Sequence, residues 1–153
     1  MNGLNYRRAD ESDIEFISAT YNANIPFLHG AIRGTEEWKE LLSREGSVYY
    51  IVFAERPAAW FRIDYEDGGF WLGMLQVDPL FKRKGIGRFV LSLAEKFARK
   101  KGFDKIGIHT TADNLAAQAL YASAGYVLTE TGPCTTADGA ERTGLTFEKA
   151  LAK

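Results

Sequence analysis

The residues with the clearest chemical meaning lie between Leu75 and Arg88. An apolar segment that ends in Val77-Asp78-Pro79 runs there through a basic loop with two glycines into a predicted helix. N–H groups at the start of a helix have no partner within the helix, and with nearby positive side chains they bind anions. The loop consists of Lys82, Arg83, Lys84, Gly85, Ile86, Gly87 and Arg88. These residue types in this order predict a site for a phosphorylated ligand.

Two common phosphate-binding motifs fit this loop poorly. A P-loop requires the pattern G-x-x-x-x-G-K-[ST], which no stretch of the chain supplies. A Rossmann fingerprint requires a third glycine where Val90 stands. It also places the first glycine directly after the strand, whereas residues 78–84 intervene here.

Three further side chains downstream of the loop could take part in chemistry. Asn114 and Tyr121 lie seven residues apart, which is two turns of one helix, so they project on the same face and can contact one ligand. His109 lies at the end of a predicted strand, and histidine changes charge in the physiological pH range. Each also has a structural interpretation: Asn114 as a helix cap, Tyr121 as a core aromatic residue and His109 as a structural, hydrogen-bonded histidine.

Bulk composition restricts the class of protein. The 153 residues fit one domain, residues 1–153, that is long enough to bury a core. A formal net charge of −1 with 25% charged residues argues against a dedicated nucleic-acid binder, so the basic loop is a local feature. The single Cys134 excludes an internal disulfide, fits a reducing compartment and rules out a zinc site built mainly from cysteine. We therefore expect no metal.

Targeting signals are not recognisable in the sequence. The first eight residues lack the apolar core of a secretion signal, and no apolar run is long enough to cross a membrane. These features predict a cytoplasmic protein without a membrane partner.

Two helices are predicted before the first long strands. The pattern Ser12-Asp13-Ile14-Glu15 is typical of a capping box and predicts a helix that ends before Pro26. Thr35 is predicted to cap a second, short helix with Trp38 on its buried face. Residues 22–34, between the two, are irregular and rich in apolar side chains, which favours a role as the wall of a pocket.

The middle of the chain predicts strands around the basic loop. An antiparallel meander of three strands is predicted over residues 48–54, 58–65 and 70–77. After the loop, apolar residues from Ile86 to Phe97 follow the spacing of one buried helical stripe, and Gly102 ends that helix.

The last third predicts a strand over residues 105–110 and a helix from Leu115 to Ala124, capped by Asp113 or Asn114. Strands over 126–130 and 144–150 follow, joined by a loop at 131–143 that is a second candidate for the pocket wall. Strand, helix and strand around the basic loop imply a right-handed crossover with parallel pairing. The predicted class is α+β, or α/β by looser naming: a mixed, mostly antiparallel sheet of about six to seven strands with flanking helices.

Two motifs together resemble the GNAT superfamily of N-acetyltransferases. The segment 82–87 is similar to the acetyl-CoA pyrophosphate loop [QR]-x-x-G-x-[GA], and the preceding Val77-Asp78-Pro79 fits the same family. Asn114, Ala117, Leu120-Tyr121 and Gly125-Tyr126 match the family segment N-x-x-A-x-x-L-Y-x-x-x-G-[FY]. The order of the predicted elements also matches. Lys82 departs from the pattern, because it keeps a positive donor but lacks the planar, forked hydrogen bonding of arginine.

The resemblance implies acetyl-CoA as co-substrate. The amides of residues 83–88 would bind its pyrophosphate, and its pantetheine arm would pair like an extra strand with the backbone of residues 75–77, where the sheet splays apart. The implied cofactor-binding residues are Leu75, Gln76, Val77, Lys82, Arg83, Lys84, Gly85, Ile86, Gly87, Arg88, Asn114 and Tyr121.

The resemblance also implies a reaction: direct attack of a primary amine, on a small molecule or a peptide, upon the thioester. Tyr121 would protonate the leaving thiolate, since a tyrosine of pKa about 10 can donate to a thiolate whose model, cysteine, has a pKa of about 8.5. A strand amide near Leu75 or Gln76 would hold the oxyanion.

The general base is the least defined part of this interpretation. Family members often carry a carboxylate early in the strand 70–77, and this chain has none there. His109 is the first candidate, followed by Asp64, Glu66 and Asp67, acting directly or through water. The missing carboxylate motivates a rival hypothesis, a noncatalytic acyl-CoA-binding regulatory module. The sequence is compatible with a homodimer and does not identify the acceptor amine.

Overall fold

A computed structural model describes residues 3–24, 34–66, 68–136 and 139–152, with Glu66 described for its backbone alone. The described residues form seven strands and four α-helices. The strands are β1 Asn5–Arg8, β2 Ser47–Phe53, β3 Pro57–Glu66, β4 Gly69–Val77, β5 Lys105–Thr111, β6 Val127–Thr135 and β7 Glu141–Ala150. The helices are α1 Ile14–Ala23, α2 Thr35–Ser43, α3 Ile86–Lys100 and α4 Leu115–Ser123.

All seven strands belong to one mixed sheet in the order β1-β2-β3-β4-β5-β7-β6. Every neighbouring pair is antiparallel except β4 and β5, which are parallel and are connected through α3. The predicted α+β class, the crossover and the mostly antiparallel sheet are therefore confirmed.

The parallel pair is short. β4 and β5 pair only as Trp71 with Gly107 and Leu72 with Ile108. Next to this point the register of β3 and β4 shifts from Ile63–Leu72 to Arg62–Met74, so Gly73 is an extra residue in β4. Such a bulge increases the local twist of a strand. From Gly73 to Val77, β4 is paired with β3 on one side and faces a gap on the side of β5.

An ion pair covers the bulge. The Arg62 Nε lies 2.9 Å from Asp64 Oδ1, and Ser47 Oγ donates to the same carboxylate oxygen at 2.8 Å. A Cβ placed on Gly73 would overlap with Asp64 Oδ2 and would lie 2.7 Å from Arg62 Nη2. Glycine is thus the residue that lets the ion pair lie directly on the bulged backbone.

Each face of the sheet carries its own core. The stripe of α3 packs with Val90 and Ala94 on the face that contains Phe61 and Leu72, as its periodicity predicted. The opposite face, under α1 and α2, buries a second cluster that consists of Ile14, Ile17, Tyr21, Trp38, Tyr49, Ile51 and Trp60. The gap between β4 and β5 therefore lies in a sheet that carries a packed core on each face.

The capping residues of the first two helices differ from the sequence prediction. Asp10, not Ser12, forms the capping box, because its carboxylate accepts from Ser12 N at 2.9 Å while Asp13 accepts from Asp10 N. A 3-10 turn over Glu11–Asp13 then leads into α1. The cap of α2 is Gly34, and Thr35 is already the first helical residue. Both shifts are small, because polar residues cluster at each start.

The predicted loop over 131–143 is wrong for most of its length. β6 continues to Thr135 and β7 begins at Glu141, so the two strands form a long hairpin. Nearly all of β6 is exposed on both faces. The alternation of apolar and polar residues that reveals a half-buried strand is therefore missing from this part of the sequence.

The contact between Trp71 and Gly107 yields a stability prediction. A Cβ on Gly107 would overlap with the Trp71 ring, so Gly107→Ala should lower the free energy of unfolding by about 1–3 kcal/mol through overpacking. Urea denaturation measures this change. Gly132→Ala is the matched control, since a Cβ there would meet no atom within 4 Å. Equal midpoints for the two variants would contradict the close packing of Trp71 on Gly107.

Candidate active site

The basic loop forms the turn into α3. Gly85 precedes the helix with φ 82°, a left-handed conformation that glycine adopts without strain. Arg83 has φ 63°, which is unusual for a residue with a side chain. Ile86 is buried, whereas Lys82, Arg83, Lys84 and Arg88 are exposed. The result is an exposed positive loop above the N–H groups of the first turn of α3, as an anion site requires.

The start of α3 packs closely on α4. A Cβ on Gly87 would lie 2.8 Å from Leu120 Cδ2, so the missing side chain allows the close approach of the two helices. Arg88 Nη2 donates to Ser123 Oγ at 2.8 Å. These contacts hold the loop beside the helix that carries Tyr121. They also direct the guanidinium of Arg88 towards α4.

Tyr121 is buried, with 8% of its surface exposed. Its ring packs on Phe147 at 5.7 Å and on Tyr126 at 6.3 Å between centroids. Burial raises the pKa of Tyr121 to about 12, so the phenol is a weaker acid than the reference value used in the sequence analysis implied. It keeps its proton throughout the physiological pH range.

A polar network of hydrogen bonds lies next to Tyr121, on the side of Tyr126. The Tyr126 hydroxyl donates to Glu95 Oε2 at 3.0 Å, and Lys149 Nζ donates to Glu95 Oε1 at 3.0 Å and to the Ala124 carbonyl at 2.8 Å. Burial and the charge of Glu95 raise the pKa of Tyr126. Glu95 is only 7% exposed, although it is a charged residue outside the apolar stripe of α3. The network joins α3 to the end of α4 and to β7.

Asn114 is the N-cap of α4, one of the two caps that the sequence analysis left open. Its Oδ1 accepts from Ala117 N at 3.2 Å. The cap uses the side-chain oxygen and leaves the amide nitrogen as a donor at the helix start. Capping and ligand contact are therefore compatible at this residue.

The backbone of β4 alternates its polar groups between β3 and the gap. Asp78 N donates to Ala58 O of the neighbouring chain segment, whereas the Val77 carbonyl accepts from Asn24 Nδ2 at 3.1 Å on the other side. Successive residues of a strand point their backbone N–H and C=O groups to opposite sides. The backbone groups of Leu75 therefore point in the same direction as those of Val77, and those of Gln76 point to β3. Of the two predicted oxyanion donors, Leu75 N–H faces the gap.

His109 lies at the mouth of the gap, one residue after the last β4–β5 pair. Its ring stacks on Trp71 at 4.5 Å with an interplanar angle of 11°, and its Nδ1 lies 3.1 Å from Thr146 Oγ1. The side chain is exposed and borders a surface cavity of about 350 Å³ together with Glu130 and Cys134. Since its neighbour Ile108 belongs to the α3 core, His109 is on the opposite face of the sheet from Tyr121.

The remaining base candidates have different outcomes. Asp64 is buried and binds Arg62 and Ser47, so its carboxylate supports the bulge. The side chain of Glu66, all of Asp67 and residues 25–33 of the predicted pocket wall lie outside the described residues. In the part of the chain that the structure describes, His109 is thus the exposed candidate next to the gap. No cluster of metal-ligating side chains is present among these residues.

Comparison with known families agrees with this geometry. The model of the acetyltransferase (GNAT) family matches residues 14–126. The chain belongs to this family. The match covers both the pyrophosphate-type loop and the helix of Asn114 and Tyr121. No curated protein sequence matched the chain.

Solved structures share the whole fold of this acetyltransferase at low sequence identity. The spermidine N-acetyltransferase of Vibrio cholerae, in complex with CoA and spermine, has a TM-score of 0.85 at 16% identity, with 99% of this chain and 97% of that chain covered. The yncA protein of Salmonella typhimurium, with acetyl-CoA, has a TM-score of 0.78 at 20% identity over 99% and 96%. The ribosomal-protein-S18-alanine N-acetyltransferase of Escherichia coli has a TM-score of 0.78 at 18% identity over 98% and 95%.

The raised pKa of Tyr121 predicts a pH-dependent stability. Above about pH 10 the unfolded chain releases this proton while the folded protein keeps it, so stability is lost as the pH rises towards 12. Between about pH 9 and about pH 11.5 the wild type should lose about 2 kcal/mol more free energy of unfolding than Tyr121→Phe. Urea titrations at several pH values measure the difference. Tyr6→Phe, at an exposed tyrosine, should follow the wild type.

Proposed function

We propose that this acetyltransferase moves an acetyl group from acetyl-CoA to a primary amine by direct attack, at the gap between β4 and β5. The observation that carries the proposal is the position of this gap. It begins where the pairing of Leu72 with Ile108 ends, it leaves Leu75 without a partner on β5, and β4 leads from it into the anion-binding loop. A ligand with an extended arm and a phosphate group fits both features.

The named relatives support acetyl-CoA and an amine as the two substrates. One relative is described with acetyl-CoA and another with CoA and spermine, and a third acts on an alanine of a ribosomal protein. For this chain, the backbone amides and the positive charges of residues 82–88 would hold the phosphates. Leu75 and Val77 would pair with the pantetheine arm, and Asn114 and Tyr121 would flank it from α4.

Two faces of the sheet would serve two substrates. Tyr121 and the loop lie on the side of α3 and α4, whereas His109 and Trp71 lie on the other side. The neutral amine would approach from the His109 side, and the proton that its nitrogen releases on attack would pass to the imidazole. Its nitrogen would bond to the acetyl carbon while Leu75 N–H binds the carbonyl oxygen. The carbon–sulfur bond then breaks, and Tyr121 donates to the leaving thiolate.

We also propose a cytoplasmic location and a homodimer, with no nucleic-acid partner. The net charge of −1 supports the absence of a nucleic-acid partner. Edge strand β6, with Val127 62% and Leu128 51% exposed, offers a surface for self-association. No helix among the described residues is long and apolar enough to cross a membrane.

Acetyl-CoA binding and turnover test the proposal together. At a hundred times its Kd, acetyl-CoA should stabilise the protein by about 2.7 kcal/mol, measured as a thermal or urea shift. Release of free thiol should follow when amino acids, polyamines, aminoglycosides or peptide N-termini are added. Absence of any shift at millimolar acetyl-CoA would contradict the proposal. Binding without turnover of any amine would instead support a noncatalytic acyl-CoA-binding module.

The assigned acid and base predict two distinguishable variants. Tyr121→Phe should lower kcat, since the leaving thiolate loses its donor, and it should keep the acidic limb of the pH profile of kcat/KM. His109→Gln should lower kcat/KM and remove that limb, because glutamine cannot take up the proton. Steady-state assays across pH measure both effects. An unchanged acidic limb in His109→Gln would remove His109 as the base.

A further inference from the structure

Asn24 makes two hydrogen bonds to distant residues at the end of β4. Its Nδ2 donates to the Val77 carbonyl at 3.1 Å, 53 residues along the chain. Its Oδ1 accepts from Lys82 Nζ at 2.8 Å, 58 residues along the chain. Asn24 is only 3% exposed, and its own backbone N–H ends α1 by bonding to Tyr21 O. The side chain therefore connects α1, the last residue of β4 and the first residue of the basic loop.

These two bonds require an amide side chain. A lysine ammonium only donates and a backbone carbonyl only accepts, so the partner between them must accept with one atom and donate with another. Aspartate could accept from Lys82 but has no N–H for Val77, and alanine offers neither group. The orientation of the Asn24 amide is fixed by the same reasoning, since the reverse orientation would oppose donor to donor and acceptor to acceptor.

The clamped segment is the connection between the two halves of the proposed acetyl-CoA site. Val77 and Lys82 bracket a short turn over Pro79–Phe81, in which Asp78 Oδ1 accepts from Leu80 N at 2.9 Å. The left-handed Arg83 follows directly. A non-glycine residue in this conformation is strained and persists only where its surroundings impose it. A clamp on both ends of the turn supplies such a constraint.

We infer that Asn24 is a positioning residue for acetyl-CoA. It acts through Lys82 and Val77, and it holds the loop 82–88 in the orientation in which its amides and charges meet the phosphates. It also occupies the Val77 carbonyl, so that the β4 backbone left to pair with an extended arm lies at Leu75 and at the Val77 N–H. This inference rests on the proposed function, because it assigns the loop to acetyl-CoA.

Isothermal titration with acetyl-CoA tests the inference. Asn24→Ala should raise the Kd of acetyl-CoA roughly tenfold or more, as expected when a hydrogen bond to a charged group is lost. In turnover assays the KM for acetyl-CoA should rise while kcat at saturation stays within about twofold, because no reacting atom is touched. Ser18→Ala, on the same helix and without a hydrogen bond to the loop among the described residues, should keep the wild-type Kd.

A double-mutant cycle separates positioning from a general structural role. In the background of Lys82→Met, Asn24→Ala should raise the Kd by much less than in the wild type, because the partner of its Oδ1 is already gone. Independent, multiplicative effects on Kd would overturn the inference. If Asn24→Ala does not fold, as judged by circular dichroism, Asn24→Asp takes its place. It keeps the acceptor for Lys82, loses the donor to Val77, and should raise the Kd above the wild-type value; a wild-type Kd would overturn the inference.

The outcomes for the two proposals differ. If the wild-type protein does not bind acetyl-CoA, the proposed function fails. If the wild type binds acetyl-CoA and Asn24→Ala binds it equally well, only the role of Asn24 fails.

Discussion

The structure depends on the separation of two parallel strands. After Leu72 and Ile108, β4 and β5 no longer pair, so the polar backbone groups of β4 from Gly73 to Val77 have lost one neighbour. Backbone N–H and C=O groups need partners wherever they leave water, and the protein meets this need in two ways. At one position, the side chain of Asn24 donates a hydrogen bond to the Val77 carbonyl. The backbone groups of Leu75 point into the gap, where the extended arm of acetyl-CoA is proposed to pair with them.

Several residues that appear unrelated in the sequence maintain this separation. Gly73 forms the bulge, and the Arg62–Asp64 pair lies on it where any side chain would collide. Gly107 accepts the Trp71 ring on the same face, and that ring in turn holds the imidazole of His109. The bulge, the ion pair and the stacked rings all lie at the point where the strands part. They fix the gap geometrically before any substrate binds.

The sequence predicted the parts of the site that depend on local pattern. Helix periodicity, the two glycines of the loop and the spacing of Asn114 and Tyr121 suffice to place the loop and α4, because each is determined by neighbours within a few residues. The Asn24 clamp and the burial of Glu95 were not predictable in this way, since their partners lie 31 to 58 residues away. The long β6–β7 hairpin was missed for another reason, because an edge strand exposed on both faces carries no apolar alternation.

The burial of Tyr121 changes how its proposed part in the reaction should be understood. Complete proton transfer from a phenol of pKa about 12 to a thiolate of pKa about 8.5 is uphill by about 5 kcal/mol. A hydrogen bond from the neutral phenol to the developing negative charge on sulfur carries no such cost, and hydrogen bonds to charged groups are stronger than neutral ones. The packing of Tyr121 on Phe147 and Tyr126 keeps the donor protonated and fixed. Tyr121 is thus better suited to stabilise the thiolate while the carbon–sulfur bond breaks than to surrender its proton early.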